Sequence, residues 1–164
     1  MTKNWIKNNE SNYTFSIDNK LIGTMEISYL SSERKAFCQI GSHNFSISRI
    51  GFWKSMIEIN NDKGKLIAKV YPEKWYANSW IFEYNENKYK IVVRNNPLAE
   101  YAIIDKSIEQ IAYGLTSENG KLKVKITTSR KISDYIFDYL LWYLFVPIAT
   151  ENMGDSFSFL MIQN

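Results

Sequence analysis

The chain has 164 residues, 45% of them apolar and 15% aromatic, and 20 Lys and Arg against 17 Asp and Glu leave a net charge of +3. That is the length of one domain able to bury its own core, too aromatic for a disordered chain and too nearly neutral to mark a nucleic-acid binder by bulk charge. A single cysteine, Cys38, and a single histidine, His43, exclude an internal disulfide and a His/Cys metal set.

In chain order, the first twelve residues, MTKNWIKNNESN, lack the apolar run of a secretory signal, so a cytoplasmic protein is expected, peripheral to a membrane if it binds one. From about Tyr13 to Thr128 the pattern alternates between apolar and polar residues and is cut by short turn signals. Asp18-Asn19-Lys20 separates YTFSI from LIGTMEI, Gly41-Ser42 separates AFCQI from HNFSISR, and Asn61-Asp62-Lys63-Gly64 separates KSMIEIN from KLIAKVY. Asn85-Glu86-Asn87, Asp105-Lys106-Ser107 and Glu118-Asn119-Gly120 continue the series. Asn, Asp and Gly tolerate left-handed backbone angles, and loops of this chemistry close β-hairpins. Six such turns imply about eleven strands, paired antiparallel because no crossover helix interrupts them. A meander of this length closes or splits to remove its edges.

Alternation assigns the faces. Leu122, Val124 and Ile126 point one way and Lys121, Lys123 and Lys125 the other. Tyr89 and Ile91 oppose Lys88 and Lys90, and Leu66, Ala68 and Val70 oppose Lys65 and Lys69. Cys38 falls on an apolar face and reads as a small core residue.

The segment Ile132 to Ala149, ISDYIFDYLLWYLFVPIA, breaks the two-residue period. Apolar residues occupy every angle of its helical wheel, so the helix must be surrounded. It is too short an uncharged run to span a membrane. Ser133 is the expected N-cap, Asp134 suits the helix dipole, and Asp134 and Asp138 together are expected at a wet mouth of the barrel. Pro147 is expected to end or kink the helix. The expected architecture is therefore mainly β: a closed antiparallel barrel of eleven or twelve strands (about 13–128) around a central C-terminal helix (about 132–149), with a tail over 150–164, in one domain.

The hairpins around Asp62-Lys63-Gly64-Lys65, Asn85-Glu86-Asn87-Lys88 and Asn119-Gly120-Lys121, followed by ISDYIFDYLLWYLFV, resemble in order and pattern the tubby C-terminal-like fold of tubby domains, phospholipid scramblases and LURP-one-related proteins. The resemblance implies a helix-filled barrel and suggests lipid association. The cysteine-rich and acidic calcium segments associated with scramblases are absent from the sequence, and lipid transport is not implied.

Chemistry-bearing residues are sparse. A catalytic triad would need His43, which lies in the tight turn GSHNF. Asp134 with Asp138 is the best carboxylate pair for acid/base work, but a helix start favours acids for structural reasons. No glycine-rich phosphate loop is present. The expected function is thus non-enzymatic, with no cofactor or metal. Lys121, Lys123 and Lys125, continued by Arg130 and Lys131, form the candidate face for anionic phospholipid, each cation contributing on the order of 1 kcal/mol near an anionic bilayer. The alternative is a protein-interaction module built on Trp75, Tyr76 and Trp80, with Phe52-Trp53 as a further aromatic pair. Aromatics beside lysines could stack nucleic-acid bases, but charge balance and motifs disfavour it. A lipocalin-like carrier is excluded because the helix would occupy its cavity.

Overall fold

The computed structural model describes residues 1–28, 34–51, 55–74, 76, 78–95, 98–128 and 134–153. Twelve strands run in chain order: β1 (Lys3–Lys7), β2 (Asn12–Ile17), β3 (Lys20–Ser28), β4 (Lys35–Ile40), β5 (His43–Ile50), β6 (Met56–Asn61), β7 (Leu66–Pro72), β8 (Ser79–Tyr84), β9 (Asn87–Asn95), β10 (Ala99–Asp105), β11 (Ile108–Glu118) and β12 (Lys121–Thr128). One helix follows, α1 (Ile136–Met153). Each strand pairs antiparallel with the next in a single sheet.

The local chemistry explains the hairpins. Asp18 and Asn19 both carry positive φ, as do Asn85 and Glu86, Lys106 and Ser107, and Asn119 and Gly120. Two consecutive left-handed residues make the turn whose twist matches the right-handed twist of the strands it joins. The expected turns are therefore found where their residues lie. Bulges opposite Phe15/Ser16, Ile59/Asn60 and Ile103/Ile104 put one extra residue, Ile22, Ile67 and Gln110, into β3, β7 and β11, each a few residues after a tight turn. Bulges bend and twist a strand, and here they sit where a flat meander must curl into a barrel.

The barrel interior is α1. Every residue from Ile136 to Val146 is buried, so over these three turns the helix has no solvent face. Rings of the wall meet it from all round. Trp142 stacks on Trp5 of β1 at 5.1 Å, and Tyr139 packs edge-on against Phe15 of β2 and Phe45 of β5. Phe137 meets Phe82 of β8 at 5.4 Å and Tyr89 of β9 at 5.0 Å, and Phe145 meets Tyr113 of β11. Such edge-to-face and stacked pairs add to the burial of large apolar area.

Four expectations need correction. First, a strand was missed: β1 begins at Lys3, ten residues before the expected start, and sends Lys3 and Trp5 inward. Its alternation is masked by a lysine at a core position. Second, Leu66 is exposed, because the bulge at Ile59/Asn60 pairs it with outward-facing Asn60 and leaves Ile67 packed against the core. Third, α1 passes through Pro147 to Met153. Pro147 is itself exposed, while Ala149 and Met153 stay buried, so apolar packing outweighs the backbone hydrogen bond that a proline forfeits. Fourth, Asp138 lies at no wet mouth: it is 0% exposed. The cap expected at Ser133 lies outside the described residues, and Asp134 accepts a hydrogen bond from the Ile136 backbone N–H at 3.2 Å.

Candidate functional site

Among the described residues no ladder joins β1 to β12, and β1 is held from inside the barrel by buried side chains of α1 and β11. Lys3 of β1 donates to both carboxylate oxygens of Asp138, at 2.9 and 2.8 Å. Tyr113 of β11 donates to Asp138 Oδ1 at 2.8 Å, and Trp5 Nε1 donates to the Tyr113 hydroxyl at 3.0 Å. The four residues form one chain of hydrogen bonds that ties the first strand to the helix and to β11, and all four are 0% exposed. Burial pushes the Asp138 carboxyl upward, against the pull of Lys3 and Tyr113. Burial likewise pushes the Tyr113 hydroxyl well above its ordinary value. A charge pair sealed this completely has no route to a substrate, and its chemistry is structural.

The other candidates for catalysis are scattered. His43 stands exposed at the start of β5. Cys38 is buried, and burial pushes its thiol well above its ordinary value, away from the thiolate a nucleophile needs. Asp134 accepts a hydrogen bond from the Tyr84 hydroxyl, well separated in role from the sealed Asp138. Among the described residues no group of three His, Cys, Asp or Glu could hold a metal ion.

On the outside, Lys121, Lys123 and Lys125 do share the outer face of β12, as alternation requires, with Lys121 and Lys125 exposed. Lys123 is paired with Glu118. Beside Lys125, the Glu100 side chain lies across Gly114, where an added Cβ would stand 3.1 Å from it, and Glu100 is bound to Arg94. Arg130 and Lys131 lie outside the described residues. So do Phe52, Trp53 and Trp75. Of the aromatic set, Tyr76 is 66% exposed beside Lys74, whereas Trp80 packs against the core. The two do not form one patch.

Sequence reasoning missed a different feature. A groove of about 770 Å³ crosses the outer faces of β2 to β6. The ladders align Asn12, Glu26, Phe37, Ser46 and Asn60 in one row across all five strands. Thr24, Gln39 and Asn44 lie in the row on one side, and Lys35, Ser48 and Glu58 in the row on the other. Phe37 is 52% exposed at the centre. The signal available in the sequence was Phe37 itself, an aromatic out of phase with Ala36 and Cys38 in KAFCQI.

Among the described residues no helix is long and apolar enough to cross a membrane. Comparison with known proteins finds no matching family model, no matching curated protein and no matching solved structure.

Proposed function

We propose that the chain is a non-enzymatic binding domain that works through its outer surface, and that the lysine row of β12 seats it on an anionic phospholipid surface. The observation that carries the first half is the filled interior: α1 occupies the space in which a barrel would hold a ligand or a reaction. The second half rests on Lys121 and Lys125, which are exposed and, among the described residues, form no ion pair. Several cations elsewhere on the wall are taken up: Lys69 and Lys88 by Glu83, Lys90 by Glu73, Arg94 by Glu100 and Glu109. The likeness of the chain to tubby-like domains is in keeping with this reading.

The test is co-sedimentation with neutral and with anionic phospholipid vesicles at low and high salt. Binding is expected to anionic vesicles alone and to be reversed by salt, because surface charges are screened over about 8 Å at physiological ionic strength. At about 1 kcal/mol per cation, Lys121→Glu with Lys125→Glu should weaken binding at least about 30-fold. Binding that ignores the double reversal overturns the lysine face. No binding to any vesicle overturns the lipid reading and directs the search for a protein partner to the exposed Tyr76, by pull-down with Tyr76→Ala as control.

A further inference from the structure

We propose that the groove across β2 to β6 binds a neutral polyhydroxylated chain, an oligosaccharide, lying along the row Asn12, Glu26, Phe37, Ser46 and Asn60. This is a site separate from the lysine row and independent of it.

Three observations converge on that ligand. The first is the state of the polar groups. On β7 to β11 the outward Lys69, Glu83, Lys88, Lys90, Arg94, Glu100 and Glu109 are paired, but among the described residues the side chains of Thr24, Glu26, Asn44, Ser46, Glu58 and Asn60 make no hydrogen bond or ion pair within the chain. Amides, hydroxyls and carboxylates together offer donors and acceptors in adjacent pairs, the pattern that neighbouring hydroxyls of a sugar ring complement. The second is Phe37. It is an isolated, half-exposed ring in a polar field, suited to stack on the apolar C–H face of a pyranose. The Lys35 ammonium stands 4.9 Å from its centroid, on a flexible stem that can withdraw. The third is charge. Glu26, Glu58 and Asp62 against Lys35 make the lining formally acidic, which rejects phosphate- or sulfate-bearing ligands.

Other occupants fit less well. The backbone groups under the groove are already used in the ladders from β2 to β6, so an incoming peptide finds no free edge there to extend. Five strands at about 4.8 Å spacing give the row a length of about 19 Å, enough for a chain of several sugar rings rather than one.

The test is calorimetric titration of the full chain with cellohexaose, laminarihexaose, xylohexaose, mannohexaose, maltohexaose and chitohexaose. At least one is expected to bind with a Kd between about 10 µM and 1 mM, a range set by shallow, partly exposed contacts. Phe37→Ala should weaken it at least tenfold and Asn60→Ala severalfold, while Phe37→Tyr keeps binding and Lys121→Glu with Lys125→Glu leaves it unchanged. Both groove substitutions lie outside the core, so an unchanged melting temperature is expected and certifies each variant. If none of the six binds at about 5 mM, if binding survives both groove substitutions, or if dextran sulfate binds more tightly than the neutral chains, the proposal is overturned.

Discussion

Replacing Lys3 with methionine keeps most of the buried volume and removes one charge, so the loss it causes reports electrostatics rather than a cavity. Asp138 Oδ2 then loses its partner at 2.8 Å, and Oδ1 keeps only the Tyr113 hydroxyl. Stranding one member of a fully buried ion pair costs about 3–5 kcal/mol. Against a total stability of about 5–15 kcal/mol for a domain of this kind, that is a large share. For a chain of this length it corresponds to a fall in melting temperature of about 6–20 °C. Asp138→Leu should cost a similar amount by stranding Lys3. In the double variant no charge is left, and only the Tyr113 hydroxyl lacks its acceptor, at about 1–3 kcal/mol. The double variant should therefore be more stable than Asp138→Leu alone, with a coupling energy of about 2 kcal/mol or more. Urea unfolding followed by tryptophan fluorescence measures all four corners of the cycle, and Trp5 and Trp142 report directly from the stack beside the pair. Single variants that lose less than about 1 kcal/mol, or losses that simply add, would refute the claim that this network ties β1 to α1 and β11.

Two further predictions test other parts of the wall. A Cβ on Gly23 would stand 1.9 Å from the Gln39 carbonyl oxygen and 2.5 Å from the Tyr139 hydroxyl, which donates to that same carbonyl at 2.9 Å. Gly23→Ala should therefore cost about 3 kcal/mol in urea unfolding, and because the nearer obstacle is backbone, adding Tyr139→Phe should not rescue it; a neutral Gly23→Ala means that β3 and β4 do not approach α1 in this way. Glu83 accepts from the Tyr71 hydroxyl at 2.6 Å and pairs with Lys69 and Lys88 at 3.1 Å, and that hydrogen bond and those two ammonium groups hold its carboxyl down, from the ordinary 4.5 to about 2. A carboxyl with a depressed folded value stabilises the fold above its unfolded value and loses that contribution as pH falls through the folded one, so the wild type should lose stability between about pH 4.5 and about pH 2 more steeply than Glu83→Gln; coincident slopes would mean that the cluster does not form in solution.

The local features of this chain were legible because they depend on neighbours in sequence. Left-handed residues at Asp18-Asn19, Asn85-Glu86 and Asn119-Gly120 specify hairpins wherever they occur, and a two-residue period places Val124 and Ile126 inside and Lys121 and Lys125 outside with no knowledge of the partner strand. The same reasoning shows that a helix apolar at every angle, from Ile136 to Val146, needs a wall on all sides.

Only the tertiary structure decided what depends on residues far apart. Lys3 reads as a solvated lysine until Asp138, 135 positions later, is placed against it inside the barrel. One extra residue at the Ile59/Asn60 bulge turns Leu66 outward, a change of face that no pattern within β7 announces. Packing carries α1 past Pro147, where local propensity argues for a stop. The groove is the clearest case. Asn12, Glu26, Phe37, Ser46 and Asn60 come from five strands, and they become a row only when five registers are set together. Turn chemistry and periodicity act over a few residues, whereas register, burial and charge pairing are properties of the assembled sheet, and both the sealed network and the open groove belong to the second kind.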